Sequence, residues 1–192
     1  MALWAGGARA VLVVCDGVST SVDSDVASQA AAERARDVLA ALASAVGVPT
    51  GDDWARALVE ATESANRAVV ETTAPDSTNA ASATLAAAVV VGDTVHFANL
   101  GDSRVYLLGA DERVLLSVDD SMAQAFIAEG MPRAEAEALP RAHAITKWLG
   151  RDAPDIVPRT GARRVTAPGW LLVCSDGLWN YASTPDELAR QL

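Results

Sequence analysis

The sequence AVLVVCDGVST, residues 10–20, contains an apolar run that leads into Cys15 and then Asp16-Gly17. Nearly the same phrase returns near the end of the chain as WLLVCSDGLWN, residues 170–180. Each copy alone predicts only a buried strand followed by a turn, because Asp-Gly is among the commonest turn pairs. Together they predict that two rigid strands deliver Asp16 and Asp176 to one place.

Length and composition predict a single domain over residues 1–192. Its 51% hydrophobic content is enough for a core of its own, and its net charge of −10 argues against nucleic acid or membrane as partners. The two cysteines lie in apolar runs without CxxC or Cys/His spacing, which predicts buried thiols in a reducing, cytoplasmic compartment and no zinc site. The apolar run from Ala10 to Cys15 is too short for a signal peptide or a membrane span.

The order of predicted elements favours antiparallel sheets with helices packed outside. We expect a strand over 11–15, a helix over 26–46 capped by Ser24 or Asp25, and a helix over 53–72. Strands over 84–118, helices over 121–129 and 133–139, a strand over 171–174 and a helix that begins at Pro185 follow. The strands over 84–118 should form a meander with tight turns at Gly92-Asp93 and Gly101-Asp102. Because a doubly wound parallel sheet would alternate strand and helix throughout, the order predicts an α+β layered sandwich.

Apolar spacing also predicts which helix faces are buried. The first helix should bury Val26, Ala30, Leu39, Leu42 and Val46, and the second should bury Trp54, Leu58 and Val69. The segment from Pro140 to Pro168 has little periodicity and is typical of a surface lobe over a site.

Three acidic corners carry the predicted chemistry: Asp16-Gly17, Gly101-Asp102 and Asp176-Gly177. A carboxylate at the end of a strand is held rigidly and still reaches solvent, as a metal ligand requires. Three converging carboxylates would repel one another, and a divalent cation would relieve that repulsion. All-oxygen ligation selects Mg²⁺ or Mn²⁺ over zinc. The apolar runs before the first and last corners show no alternation, which predicts that both strands are central.

Other candidate residues favour structural roles. His96 falls within a strand and His143 within the lobe, so a histidine-based triad is not expected. No nucleophile-elbow sequence surrounds the serines after Gly17. Asp119, Asp120 and Ser121 are expected to cap the helix that follows, with the alternative that one of them faces the metal site.

Four sequence motifs occur in the same order as in a known family: VLVVCDGV, TLAAAVVVGDTVHFANLGDSRVYLL, LSVDDSMAQAFIAEG and LLVCSDGL. They resemble the metal-dependent protein phosphatases, the type 2C serine/threonine class, and especially its bacterial members. The resemblance implies a four-layer α-β-β-α sandwich in which two antiparallel sheets are flanked by helix pairs. It also implies hydrolysis of phosphoserine and phosphothreonine proteins in signalling, by a water activated by Mn²⁺ or Mg²⁺, without a covalent enzyme intermediate. A monomer is expected.

The resemblance also implies a role for each corner. Asp16 would bridge two metal ions, Gly17 would offer its carbonyl to one, and Asp176 would bind the first ion. Asp102 would hold a third, weaker ion together with Asp176. No catalytic side chain is implied beyond these ligands, and Arg104 is expected to be structural. The lobe over about 120–168 would be the family's variable flap, with Ser121 as a candidate contact.

The sequence departs from the family in two respects. Residues 18–21, Val-Ser-Thr-Ser, stand where many members have His or Met followed by two glycines, so a histidine general acid is absent and water would serve. The family's Asn-Glu/Gln-Asp motif and phosphate-binding Arg would precede residue 1, and its final Asp-Asn would follow the last helix. The expectation is therefore a phosphatase domain that is incomplete at both termini.

Three functional hypotheses follow. The leading one is a metal-dependent serine/threonine phosphoprotein phosphatase. The alternative is a non-catalytic binding or regulatory module of the same fold that lacks a complete metal site. A phosphotransferase with Asp16 as an aspartyl nucleophile would suit the first strand alone, but the strand-helix alternation that it requires is missing.

Overall fold

The computed structural model describes residues 1–192 and contains ten strands and six helices. The strands are β1 (Ala2–Gly6), β2 (Arg9–Val14), β3 (Ser82–Ala83), β4 (Leu85–Val91), β5 (Thr94–Leu100), β6 (Arg104–Gly109), β7 (Arg113–Leu115), β8 (Leu149–Gly150), β9 (Arg159–Arg164) and β10 (Gly169–Cys174). The helices are α1 (Ser24–Ser44), α2 (Gly51–Thr72), α3 (Met122–Ala128), α4 (Arg133–Glu137), α5 (Asp176–Trp179) and α6 (Pro185–Ala189). None of these helices is long and apolar enough to cross a lipid bilayer.

Two antiparallel sheets pack face to face and form the centre of the fold. The larger sheet has the order β1-β2-β4-β5-β9, and the smaller has the order β10-β6-β7. Small and β-branched side chains fill the space between them, with Ala86, Ala88, Val95 and Val105 fully or nearly fully buried. A short third pairing joins β3 to β8.

Helices α1 and α2 cover the outer face of the larger sheet. Trp54, Leu58 and Val69 of α2 are buried, as predicted. The predicted face of α1 is only partly right: Leu39 is buried and Leu42 packs against the core, but Val26 is 55% exposed and Val46 lies beyond the end of the helix. The face that α1 buries carries small residues at nearly regular spacing: Ala27, Ala31, Ala32, Ala35, Leu39 and Ala43. Alanine lets the helix backbone approach the sheet and α2 closely, so side-chain size alone did not reveal the buried face.

The short helices α5 and α6 cover the outer face of the smaller sheet. Trp179 and Leu188 pack with Tyr106, Leu108 and Cys174 in a separate buried cluster. A Thr50 capping box begins α2, and a Thr184 capping box with Pro185 at the first turn begins α6. The order of layers is therefore helix, sheet, sheet, helix, which confirms the predicted α-β-β-α sandwich.

The corner at Gly101-Asp102 is not the hairpin turn that the sequence predicted. β5 belongs to the larger sheet and β6 to the smaller one, so the chain crosses between sheets at this corner. Both backbone groups of Gly101 bind Asp120: its N–H donates to the carboxylate at 3.2 Å, and its carbonyl accepts from the Asp120 N–H at 2.8 Å. Gly101 has φ +93°, and a Cβ there would lie 2.8 Å from Thr84 Cγ2. Glycine therefore permits the crossing.

The strand that leads to Asp176 is not central, contrary to the sequence prediction. β10 pairs only with β6 and is the edge of the smaller sheet, whereas β2 lies between β1 and β4 in the larger one. The two strands are thus not neighbours in one sheet. Their acidic ends still meet, because β10 packs over β2 and β4 across the sandwich.

The predicted lobe over 120–168 contains more regular structure than the sequence indicated. Helices α3 and α4 match their predicted positions, but β9 is an edge strand of the larger sheet and pairs with β5. Its sequence, Arg-Thr-Gly-Ala-Arg-Arg, has no apolar alternation. Gly161 in this strand leaves room for the Phe97 ring, since a Cβ there would lie within 3 Å of that ring.

Candidate functional site

One open groove collects the three acidic corners at the end of the sandwich. It has a volume of about 630 Å³ and is lined by Asp16, Gly17, Val18, Ser19, Thr20, Thr84, Asp102, His143, Ala144, Ile145 and Asp176. Asp16 comes from the end of β2, Asp102 from the crossing between the sheets, and Asp176 from the start of α5. The predicted convergence therefore depends on two different sheets.

Hydrogen bonds fix Asp16 to the strand beside it. The Asp16 N–H donates to Thr84 Oγ1 at 3.2 Å, and the Thr84 N–H donates to the Asp16 carbonyl at 2.8 Å. The Thr84 hydroxyl is also 2.7 Å from the buried Ser103 hydroxyl. Because Ser103 follows Asp102, Thr84 links the segments that carry two of the three acids.

Gly17 is a glycine because its surroundings leave no space for a side chain. A Cβ at Gly17 would lie 2.4 Å from the Ser24 carbonyl oxygen, and that oxygen belongs to the backbone of the first turn of α1. Val18 N–H donates to the Ser82 carbonyl and Thr84 N–H to the Asp16 carbonyl, while the Gly17 carbonyl between them accepts no hydrogen bond from the chain. This carbonyl oxygen is thus available to a ligand.

Asp176 and Asp102 are held by the short helix α5. Asp176 is the first residue of α5, and the Asn180 side-chain amide lies 3.4 Å from its Oδ2. One turn later, Trp179 Nε1 donates to the Asp102 carbonyl at 2.9 Å. The helix therefore positions one acid directly and the other through its tryptophan.

The electrostatics of the groove favour protons or cations on these carboxylates. Burial raises the pKa of Asp16, and a hydrogen bond to Asp176 and the Asp176 charge raise it further. Burial, with repulsion from Asp176, Asp119 and Asp16, raises the pKa of Asp102 to about 6. Each of these shifts has the sign that a bound cation would reverse.

The donor set fits a hard divalent cation. Asp16, Asp102, Asp176 and the Gly17 carbonyl offer only oxygen, which Mg²⁺ and Mn²⁺ prefer. The carboxylates do not close a cage, because no three acidic, histidine or cysteine side chains surround a single point. An ion that is held by one or two carboxylates and keeps several waters suits such an arrangement.

Arg104 supports the site from behind and does not line the groove. Its Nη2 lies 2.6 Å from Asp119 Oδ2, and the two side chains are only 9% and 13% exposed. Burial by itself would lower the pKa of Arg104, but the hydrogen bond and charge of Asp119 outweigh it and raise the pKa. A further hydrogen bond joins Arg104 Nη1 to the Tyr106 hydroxyl at 3.2 Å. This arrangement agrees with the structural role expected for Arg104.

Residues 119–121 each have a separate structural role. Ser121 Oγ accepts from the Gln124 N–H and caps α3, as predicted, but Ser121 does not line the groove. Asp119 and Asp120 do not cap the helix: Asp119 pairs with Arg104, and Asp120 binds Gly101 and Arg159. Partners in other segments satisfy these two carboxylates, and sequence spacing does not reveal such partners.

The two histidines lie in different places. His96 is buried on β5, with its ring 5.9 Å from that of Trp54. His143 is exposed and lines the groove, a position that the sequence reasoning missed together with that of Thr84. No sequence motif marks His143 or Thr84, because the fold of the lobe brings the first to the groove and the β3–β4 segment brings the second.

The protein is a two-sheet sandwich with an acidic groove at one end. Its sequence also matches the model of a known protein family. The sequence model of the family described as Protein phosphatase 2C matches residues 1–192. The chain therefore belongs to the protein phosphatase 2C family.

Several known proteins are similar in sequence to this chain. It is 31% identical over 175 residues to the serine/threonine protein phosphatase PstP of Mycobacterium tuberculosis, covering 90% of this chain and 32% of that protein. It is 28% identical over 141 residues to a putative protein phosphatase 2C-type protein of Streptococcus pyogenes, covering 73% of this chain and 55% of that protein. The chain thus spans about half or less of the length of these two relatives.

Solved structures give the same fold. A crystal structure of the catalytic domain of the serine/threonine protein phosphatase PstP, in complex with two manganese ions, superposes with a TM-score of 0.66 at 25% identity. The superposition covers 99% of this chain and 81% of that one. The antiparallel sandwich is therefore common to this chain and that catalytic domain.

Proposed function

We propose that this chain is a metal-dependent phosphatase domain that hydrolyses phosphoserine and phosphothreonine in proteins. The observation that carries the proposal is the meeting of Asp16, Asp102 and Asp176 in one groove from two sheets. Membership of the protein phosphatase 2C family and the two manganese ions in the related PstP domain support it.

Within this proposal, each groove residue named below either binds a metal ion or keeps a metal-binding residue in position. Asp16 and Asp176, which line the same groove, would hold Mg²⁺ or Mn²⁺ together with the Gly17 carbonyl. Asp102 lines the same groove and would hold a weaker ion together with Asp176. Thr84 and Trp179 keep the acids in place through their hydrogen bonds to Asp16 and Asp102.

The bound metal supplies a water that is acidic enough to attack phosphorus near neutral pH, and it offsets charge on the phosphoryl oxygens. The chain accordingly needs no serine or cysteine nucleophile. Both cysteines are buried with raised thiol pKa values, which agrees with a role in the core only.

We also propose that residues 1–192 form a single domain and that the lobe over about 120–168 is a flap beside the groove. The flap assignment is supported by His143, Ala144 and Ile145 of the lobe, which form one wall of the groove. Two backbone hydrogen bonds hold this wall to the start of α3, from Met122 N–H to Ala144 and from Ala123 N–H to Ala142, both at 2.9 Å. Ser121, which caps that helix, would then influence the groove through the wall and not by direct contact.

A second candidate is a non-catalytic module of the same family that binds phosphorylated partners. The observation in its favour is that no three acidic side chains close around one point. Its metal affinity would be weak, and partner binding would not depend on metal.

Calorimetric titration with Mn²⁺ and hydrolysis of an aryl phosphate and a phosphothreonine peptide test the proposal together. We expect Mn²⁺ to bind and to be required for hydrolysis of both substrates. Asp16→Ala and Asp176→Ala should each weaken Mn²⁺ binding and lower hydrolysis by at least about a hundredfold, because each removes a ligand. Asp111→Ala, which changes an exposed acid in the turn before β7, is the matched control and should change neither.

Two results would decide against the phosphatase. Hydrolysis that persists in chelator, or that Asp16→Ala leaves unaltered, would contradict the metal mechanism. Absence of both Mn²⁺ binding and hydrolysis, with retained binding of a phosphopeptide, would establish the non-catalytic module instead.

A further inference from the structure

A second cavity adjoins the acidic groove and shares His143 with it. This flanking pocket has a volume of about 430 Å³, and its lining residues include Arg104, Arg133, Glu137, His143, Asn180 and Thr184. Only two of its ten lining residues are hydrophobic, so it is built for polar ligands.

Two side chains make the groove and the flanking pocket continuous. His143 lines both cavities, and Asn180 lines the flanking pocket while its amide lies 3.4 Å from Asp176 Oδ2. A peptide with its phosphorylated residue at Asp16 and Asp176 could therefore place a neighbouring residue in the flanking pocket.

The floor between the two cavities is rigid. The Trp179 ring lies 5.9 Å from the His143 ring and carries the Arg104 guanidinium 3.8 Å from its centroid. Trp179 also donates to the Asp102 carbonyl, and Arg104 is held by Asp119. A rigid floor limits the conformational entropy that is lost when a ligand binds.

The charge of the flanking pocket differs from that of the protein as a whole. The protein has a net charge of −10, yet this lining carries two arginines against one glutamate; Asp119 neutralises Arg104, so Arg133 is the cation that a ligand can use. Arg133 is bound only to Glu137, at 2.8 Å in an exposed i,i+4 pair, and such pairs contribute little free energy. Arg133 can thus exchange Glu137 for an acidic group of a ligand at small cost.

We propose that the flanking pocket binds an acidic side chain adjacent to the phosphorylated residue of the substrate, with Arg133 and His143 as its contacts. The pocket would select substrates by sequence, while the acidic groove carries out the chemistry. This inference rests on the proposed phosphatase function, because that function places the phosphorylated residue in the groove.

The test measures binding separately from turnover. Two peptides differ only in one residue beside phosphothreonine, Asp in one and Asn in the other, and both carry a non-hydrolysable phosphonate in place of the phosphate. Binding to the full chain in Mg²⁺ is followed by calorimetry and by NMR of the histidine rings. Only two histidines are present, so His96 serves as the internal reference and His143→Gln assigns the other signal.

We expect the Asp peptide to bind about three- to tenfold more tightly than the Asn peptide, as one charge-assisted contact provides. The Asp peptide should shift the His143 signal and leave His96 unchanged. Arg133→Ala should abolish the preference by weakening only the Asp peptide. Arg36→Ala, which removes an ion-paired arginine on α1 far from both cavities, should leave the preference intact.

Equal binding of the two peptides to the unsubstituted chain would overturn the inference. An equal loss for both peptides in Arg133→Ala, or an unmoved His143 signal, would do so as well. Failure of the phosphatase proposal would be recognised separately, as absence of phosphopeptide hydrolysis in Mn²⁺ while the binding preference persists. Kinetics complete the comparison: Arg133→Ala should raise KM for an Asp-flanked phosphopeptide, with kcat and aryl phosphate hydrolysis unchanged.

Discussion

The guanidinium carbon of Arg104 lies 3.8 Å from the centroid of the Trp179 ring, and Trp179 in turn donates to the Asp102 carbonyl at 2.9 Å. Arg104 is on β6, Trp179 is on α5, and Asp102 is at the crossing between sheets. The contact therefore ties the outer helix layer to the acidic groove. A cation over an aromatic face is stabilising, more so when both groups are shielded from water.

Arg104→Gln should lower the free energy of unfolding by about 3 kcal/mol, because it leaves the buried Asp119 carboxylate without its charged partner and removes the stacking on Trp179. Urea denaturation at pH 7.5 measures the change. Arg36→Gln breaks a more exposed pair with Asp37 and should change stability by less than about 0.5 kcal/mol. Similar effects of the two substitutions would show that Arg104 is not structural.

The two Asp-Gly corners should respond differently to alanine. Gly17→Ala places a Cβ 2.4 Å from the backbone oxygen of Ser24, whereas at Gly177 the nearest atom is Ser175 Oγ at 3.6 Å. We expect Gly17→Ala to destabilise the fold by about 1–3 kcal/mol, as overpacking does. Gly177→Ala, within α5, should be neutral or slightly stabilising because alanine favours helix. Thermal unfolding of the two variants side by side measures the difference, and equal melting temperatures would contradict it.

In the metal-free chain Asp102 should stabilise the fold increasingly as pH falls from about 7 to about 5, and His96, whose pKa burial lowers, acts in the opposite direction over the same range. The folded-state pKa of Asp102, about 6, lies above its ordinary value of 3.8, so this group binds more protons in the folded state in this range and its contribution to the free energy of unfolding falls as pH rises. Asp16 is shifted in the same direction. With allowance for partial solvent screening, Asp102 contributes on the order of 1–2 kcal/mol.

Urea denaturation in chelator across pH 5–8 measures how the free energy of unfolding depends on pH. Asp102→Asn should remove the part of this dependence that Asp102 causes. The range excludes the exposed acids with lowered pKa values, such as Asp53 and Glu187, whose stabilising effect is lost only at lower pH. An unchanged pH dependence in Asp102→Asn would mean that Asp102 is better solvated than the groove geometry indicates, because the opposing effect of His96 is the same in both chains.

Both thiols should resist alkylation in the folded chain. Burial raises the pKa of Cys15 to about 12 and that of Cys174 to about 11, and the thiolate is the reactive form. At pH 8, iodoacetamide should modify each cysteine at least about a hundredfold more slowly in the folded chain than in urea. Mass spectrometry of timed samples gives both rates. Rapid labelling of Cys174 alone would indicate that α5 and α6 open locally, since these helices cover it.

Sequence reasoning succeeded where the information is local. The buried face of α2, the cap of α3 by Ser121 and the start of α6 at Pro185 follow from spacing and from the chemistry of single side chains. It failed at β9, whose polar sequence gives no strand signal and whose pairing comes from the exposed edge of β5. It failed at Gly101-Asp102 because a Gly-Asp corner suits a hairpin as well as a crossing between sheets.

Residue patterns alone were enough to place Asp16, Asp102 and Asp176 at corners beside strands, each next to a glycine, and to predict layers of antiparallel strands and flanking helices. How the three acidic side chains meet depends on tertiary packing. Asp16 and Asp176 come from different sheets, and the packing of β10 over β2 and β4 brings them together. The structure also decided that His143 and Thr84 line the groove, because contacts between segments distant in sequence depend on packing and leave no local signal.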